Sequence, residues 1–263
     1  MIWNIDPVIF TFGSLTLGWY GLFFASGFLV GVNIMQWIYR RDGRSPAELD
    51  LLLWFVLGGT IVGMRLVHCF FYDPKYFLAH PLEILEIWKG GYASHGGAIG
   101  LLLAVYWYCR GVGRPKYLWL LDRLAIAAVI TGAFIRIGNF FNSEIIGVPT
   151  DSIFGVVFLR VDALSRHPVQ LYEAVAYLAI FGLMLWLYRN KRATSDGVLT
   201  GAYLVLVFGA RFGLEFFKTP QATYEAGNAI SVGQYLSVPF VVLGIVLLLR
   251  ARNAQVGAKE SGE

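Results

Sequence analysis

An arginine, two asparagines and a glutamate fall within the nine-residue run RIGNFFNSE at positions 136 to 144: Arg136, Asn139, Asn142 and Glu144. An arginine presents a planar fork of donors that suits a phosphate. The amides of Asn139 and Asn142 both donate and accept, so they can hydrogen-bond hydroxyl groups. Arg211 and Glu215 stand four residues apart, close enough on a helix to form an ion pair. His95 precedes two glycines in HGGAIG, and small neighbours let a substrate approach an imidazole that exchanges protons near neutral pH. Together these residue types suit an anionic group that carries hydroxyls. There is no HExxH, no paired acidic metal site and no GxSxG elbow, so neither metal-assisted hydrolysis nor serine acyl transfer is supported, and no metal or cofactor is required.

The elements that must position them are apolar. Of 263 residues, 57% are hydrophobic and 14% charged, against roughly 25% charge in a soluble domain. Seven apolar spans can be read, near 17–39, 49–71, 97–108, 118–137, 169–188, 198–217 and 232–249. In lipid the backbone must satisfy its own hydrogen bonds, so spans of this length are helices. The expected fold is an all-α integral membrane protein of seven transmembrane helices. It forms a single domain over residues 1–250, with a disordered cytoplasmic tail at 251–263. The third span is short, and it either begins earlier or sits against a re-entrant segment. MIWNIDPVIF has no basic region and no small-residue cleavage site, so no cleavable signal peptide is expected.

Basic residues set the orientation. Twelve cluster after spans one, three, five and seven, beginning with Arg40, Arg110, Arg189 and Arg250; five, including Lys75, Lys89 and Lys218, lie in the opposite loops. The richer side is cytoplasmic, which puts the N-terminus in the periplasm. Short basic clusters between apolar spans offer no nucleic-acid surface. Two exterior segments, 72–96 and 138–168, are long enough to roof a site: the first holds a short amphipathic stretch, Pro81 to Trp88, and the second suits a small hairpin or cap. Cys69 and Cys109 fall at opposite ends of the core and cannot pair with each other.

At 1.5 Å per residue, Arg211 lies roughly 20 Å from the cytoplasmic start of its helix. Arg65, His68, His95, Arg136, Asn139, His167, Gln170 and Glu173 fall at the same outer depth. Intramembrane charges are costly and tend to be functional, so this layer describes a polar pocket in the outer leaflet. Plainer readings stand beside it. Arg65 can reach out to the headgroups, Arg211 can simply pair with Glu215, and His68 can join two helices. Asp122 and Arg123 read as structural, the HGGAIG glycines as close helix packing, and His167 and Gln170 as caps.

Six blocks in order, WYG (19–21), HGGAIG (95–100), RIGNFFNSEIIG (136–147), RHPVQLYE (166–173), RFGLEFFKTP (211–220) and SVGQYLSVP (231–239), resemble the bacterial prolipoprotein diacylglyceryl transferase family over nearly the whole chain. The resemblance implies a seven-helix inner-membrane enzyme. It would move the sn-1,2-diacylglyceryl group of phosphatidylglycerol onto the lipobox cysteine of a preprolipoprotein signal peptide, forming a thioether and releasing glycerol phosphate. By motif, the functional positions would be Tyr20, His95, Arg136, Asn139, Glu144, Arg211 and Glu215. Arg136 and Arg211 would stabilise the leaving phosphate, Asn139 and Glu144 would orient the headgroup or Arg136, and Glu215 would fix the guanidinium of Arg211. The thiol proton would go to His95, or an arginine-rich pocket would favour the thiolate with no dedicated base. Ile135 stands where the family usually has glycine, and the segment after the fourth span is shorter than in some relatives. The competing class is a transporter or flippase for an anionic lipid or solute. It would need polar residues across the midplane and commonly carries repeats; neither is visible here.

Overall fold

A computed structural model describes residues 1–13, 15–190, 195–219 and 230–260. Lys191 and Arg192 of the basic loops, Pro220 of the fifth motif and residues 261–263 of the tail lie outside the described residues. The chain divides into two compact units: Met1–Met35 with Leu121–Glu263, and Gln36–Leu120. The boundaries fall inside helices α1 (Trp19–Arg41) and α5 (Tyr117–Phe141).

In the Gln36–Leu120 unit, α2 (Glu48–Val67) runs into a π-helical turn at His68–Tyr72. A short α3 (Pro74–Ala79) and two 3-10 turns, Pro81–Leu85 and Ile87–Lys89, lead to α4 (Ser94–Cys109). Helices α2 and α4 pack through glycine. A Cβ on Gly96 would come within 2.2 Å of the Gly63 carbonyl oxygen, and one on Gly100 within 2.1 Å of that of Gly59. Each helix therefore contributes two glycines four apart, Gly59 and Gly63 against Gly96 and Gly100, which lets the backbones touch. The packing reading of HGGAIG accounts for these glycines.

Arg65 does not reach out to the headgroups. It is buried, 4% exposed. Its Nε donates to the Ile84 carbonyl at 3.0 Å, Nη1 to Gly90 at 2.5 Å and Nη2 to Glu83 at 2.5 Å. The guanidinium lies 5.0 Å from the Phe77 ring centroid. A snorkelling side chain needs water at its tip, whereas this one ends on backbone carbonyls of the 83–90 segment. His68 packs between the Tyr72 and Phe77 rings. Cys69 and Cys109 are both free thiols.

The other unit holds the first part of α1, most of α5, and α6 (Val169–Arg189), α7 (Val198–Leu214) and α8 (Val232–Glu260). Helix α1 meets α5 where Gly27 admits Phe134 and Thr131, and the Thr131 hydroxyl donates to the Gly27 carbonyl at 3.1 Å. Asp122, 1% exposed, accepts from the Gly197 N–H at 2.8 Å and from the Thr200 N–H and hydroxyl at 2.8 and 2.6 Å. It thus satisfies the orphan donors at the start of α7 from a neighbouring helix, the structural role read for it.

Among the described residues, six helices are long and apolar enough to cross a membrane; α4 is apolar but shorter. At 16 residues it spans roughly 24 Å, less than a hydrocarbon core of about 30 Å. It begins at Ser94, earlier than the apolar run alone indicates. Helix α8 continues to Glu260 through the segment expected to be a disordered tail; alanines, a glutamine and a lysine there are good helix formers.

Outside its long helices this unit contains short strands. β1 (Ile2–Trp3) pairs in parallel with β4 (Val156–Phe158), which pairs antiparallel with β5 (Ser165–Arg166). β2 (Val8–Phe12) and β3 (Leu15–Gly18) form a separate hairpin. Phe140, Val156 and Phe158 make a small core with Trp3, Phe141, Ile146 and Leu171 packed on it. The hairpin or cap expected within 138–168 is β4–β5; the three N-terminal strands, β1 and the β2–β3 hairpin, were not expected. In the same segment Arg166 clasps Asp162 through Nε at 3.1–3.2 Å and Nη2 at 2.5 Å, which holds the Asp162 carboxyl below its usual range.

Candidate functional site

The end of α5 fixes the first group. Arg136 Nη1 makes a long 3.4 Å contact to Asn139 Oδ1, one turn on. Asn139 Nδ2 donates to Glu144 Oε2 at 3.2 Å, and Asn142 Nδ2 to Glu144 Oε1 at 3.0 Å. Glu144 is thus held by both asparagines. The backbone makes this possible with two left-handed residues: Ser143 and Ile145 both have φ of 55°. For a β-branched isoleucine that is a genuine outlier, and such a residue costs roughly 1–3 kcal/mol. The turn that they form folds Glu144 back toward Asn139. Gln170 Nε2, fully buried on α6, donates to the Glu144 carbonyl at 2.5 Å and pins the same turn.

Beyond Glu144 the chain is stitched into place. Gly147 N–H donates to the His167 carbonyl at 3.0 Å, and Val148 N–H to that of Phe217 at 2.9 Å. A Cβ at Gly147 would lie 2.4 Å from the His167 oxygen and 2.7 Å from the Phe217 oxygen. Only glycine fits there. The RIGNFFNSEIIG, RHPVQLYE and RFGLEFFKTP motifs therefore meet.

Behind Arg136 lies a buried ionic ladder. Glu173 is fully buried, with Arg136 Nε 3.0 Å from Oε2 and Lys218 Nζ 2.9 Å from Oε1. Lys218 also reaches Glu215 Oε2 at 3.0 Å. The Glu215 carboxylate packs against Gly233, where a Cβ would come within 2.5 Å of it.

This differs from the expected pairing of Glu215 with Arg211. Helix α7 ends at Leu214, and Glu215–Phe217 is a 3-10 turn. In a 3-10 turn residues three apart eclipse, so Glu215 meets Lys218. Arg211 is half-buried in the last turn of α7, within electrostatic reach of the Tyr177 and Tyr203 hydroxyls. Among the described residues it makes no ion pair.

Tyr20 opens α1, its backbone against Gly138 of α5, between Arg136 and Asn139 in sequence. Of the expected residues, Arg136, Asn139, Asn142 and Glu144 form one connected chain. Arg211, Glu215 and Tyr20 belong to the same unit. His95, in the first turn of α4 with its side chain exposed, belongs to the other.

Two residues of the ladder were given no role from sequence, although Glu173 was placed in the outer polar layer. Glu173 ends the motif RHPVQLYE, and a carboxylate one turn inside an apolar helix demands a cation. Lys218 sits in RFGLEFFKTP, but there it counted only as a loop charge. Counting side chains, Arg136, Arg211 and Lys218 balance Glu144, Glu173 and Glu215. The carboxylates are engaged, while the Arg136 fork keeps unused donors, an arrangement open to an anion.

A model of the family described as prolipoprotein diacylglyceryl transferase matches residues 7–250. Three relatives share the name phosphatidylglycerol–prolipoprotein diacylglyceryl transferase. That of Tolumonas auensis is 57% identical over 249 residues, covering 95% of this chain and 96% of its own. That of Chloroherpeton thalassium is 46% identical, covering 97% and 96%. That of Porphyromonas gingivalis is 41% identical, covering 98% and 97%.

Proposed function

The chain belongs to the prolipoprotein diacylglyceryl transferase family, and from that premise we infer that it transfers the diacylglyceryl group of phosphatidylglycerol to the lipobox cysteine of preprolipoproteins. The thiol sulfur attacks the glycerol carbon that bears the phosphate. A carbon–sulfur bond forms, the carbon–oxygen bond breaks, and the thiol gives up a proton. Glycerol phosphate leaves with the bonding electrons.

Negative charge therefore grows on the phosphate, and donors aimed there lower the barrier. Arg136 supplies them. Its Nε is occupied by Glu173, one Nη makes a long contact to Asn139, and the Tyr177 hydroxyl lies within hydrogen-bonding reach of the guanidinium, which still leaves donors of the fork unused. That partly free fork, its side chain 13% exposed, is the observation that carries the reading. Arg211 adds a second cation, without an ion pair to any described carboxylate. Asn139, Asn142 and Glu144 offer donors and acceptors to the hydroxyls of the departing glycerol. Tyr20 lines the same helix end. His95 accepts the thiol proton; its side chain is exposed and so open to a peptide.

The protein is a multi-pass membrane protein. We place it in the bacterial inner membrane with seven crossings, α4 being the short one, the N-terminus periplasmic and the C-terminus cytoplasmic. The site then lies in the outer leaflet, roofed by the segments 72–96 and 138–168, where the lipobox thiol of an exported precursor emerges. Purified protein, a lipobox peptide and one lipid at a time test this by mass spectrometry. Phosphatidylglycerol yields the diacylglyceryl adduct, while phosphatidylethanolamine and phosphatidylcholine do not. Equal yields from all three lipids would refute a pocket that reads an anionic glycerol headgroup.

A further inference from the structure

Glu173 takes no part in the chemistry just described, yet among the described residues it is the most enclosed carboxylate of its unit. Its side chain is 0% exposed, one turn into α6. Burying a carboxylate costs several kcal/mol unless it is paired. One cation would neutralise it, but two converge, one on each oxygen: Arg136 Nε at 3.0 Å and Lys218 Nζ at 2.9 Å. At neither oxygen are the donors aligned as in a hydrogen bond, so charge holds them.

Which atom of Arg136 is taken matters. Nε sits at the root of the guanidinium. A carboxylate there fixes the plane of the group and leaves the Nη groups, which meet Asn139 at 3.4 Å and the Tyr177 hydroxyl, with donors to spare for another ligand. Had Glu173 taken the two Nη groups, the bidentate face would be spent. Lys218 continues the ladder to Glu215 at 3.0 Å, so α5, α6 and the end of α7 are joined by alternating charges.

Resting on the reading that Arg136 grips the lipid phosphate, we propose that Glu173 is a positioning residue for diacylglyceryl transfer. It holds Arg136 by Nε so that the two Nη groups face the leaving phosphate, and through Lys218 it ties that orientation to the Glu215 turn. Loss of the carboxylate leaves the cations in the pocket, so attraction to an anionic lipid persists. Alignment with the growing charge is lost, and that is felt in kcat rather than in KM. A misplacement of about 1 Å can cost about 100-fold.

The test uses the full chain in phosphatidylglycerol-containing micelles, with kcat and KM measured by mass spectrometry of a lipobox peptide and folding followed by thermal melting. Glu173→Gln lowers kcat at least 30-fold and moves KM for phosphatidylglycerol less than threefold. Glu173→Asp keeps the charge between the two cations but draws the carboxylate back by one methylene. It therefore retains the fold even if Glu173→Gln does not, and it lowers kcat about tenfold. In an Arg136→Lys background either change costs less than a further threefold, because no fork remains to be aimed. A folded Glu173→Asp or Glu173→Gln protein with kcat within threefold of the parent overturns the proposal. So does a loss that multiplies in full with that of Arg136→Lys. Arg136→Lys by itself judges the phosphate reading. If it stays fully active, that reading fails; if it is crippled while both Glu173 variants turn over normally, only the positioning role fails.

Discussion

Replacing Arg65 by lysine isolates what its guanidinium does. Three nitrogens of Arg65 serve three different backbone carbonyls, those of Ile84, Gly90 and Glu83, at 2.5–3.0 Å. A lysine places one nitrogen in the middle of that fan and cannot serve all three. The side chain is 4% exposed, so water does not replace the missing donor. A hydrogen bond to a charged group contributes about 1.5–3 kcal/mol. Losing one of the three raises the opening equilibrium of the 83–90 segment by about 10- to 150-fold, at 1.4 kcal/mol per decade. Hydrogen exchange of the intact protein, read by mass spectrometry, measures this directly, because local opening exposes only the amides of the segment that opens. Peptides covering 80–92 exchange faster by that factor in Arg65→Lys, while peptides from the middle of α2 and α4 keep the parent rate. Unchanged exchange over 80–92 would show that charge alone holds the segment. Uniform acceleration through α2 and α4 would show that Arg65 supports the helix pair and not the segment.

Three further outcomes are expected. His95→Gln loses transfer at pH 7 and regains part of it as pH approaches the thiol pKa of about 8.5, where the substrate ionises unaided; full activity at pH 7 removes His95 as the proton acceptor. Gly100→Val cannot be accommodated, since even a Cβ would sit 2.1 Å from the Gly59 oxygen. Little folded protein is therefore recovered from membranes, while Gly58→Ala, whose Cβ meets nothing within 4 Å, yields parental amounts. The Asp162 carboxyl is held low by Arg166, so its folded pKa lies below its unfolded one. Its contribution is complete above about pH 4, the unfolded value, and is lost as pH falls through the folded pKa. Exchange over 159–167 thus accelerates only below about pH 4, and Asp162→Asn removes that dependence.

The long helices were legible because an apolar run of about 20 residues has few alternatives in lipid. The Arg136, Asn139 and Glu144 chain was legible because its members sit within a turn or two of one another. What lay beyond local spacing was not. The ion pair of Arg211 with Glu215 was inferred from helical spacing that stops at Leu214. Lys218 looked like a loop charge because nothing local reveals that it folds onto Glu173, 45 positions earlier. Arg65 looked like a snorkelling residue because its partners are carbonyls of a segment about 20 residues away, and backbone acceptors leave no mark in a sequence. The N-terminal strands are two to five residues long, too short for a period-two pattern to stand out.

The parallel pairing of Ile2 with Val157 and of Trp3 with Phe158 sets an order of events during synthesis. β1 has no partner until the stretch after α5 has been made. At 5–20 residues per second, that gap of about 155 positions is a wait of roughly 8–30 s. Throughout it the start of the chain is an unpaired edge, open to whatever chaperone or neighbouring strand meets it. The Gln36–Leu120 unit is continuous in sequence and can close on itself in the meantime. Its companion, interrupted by that insertion, cannot. The middle of the chain can therefore close before β1 finds its partner.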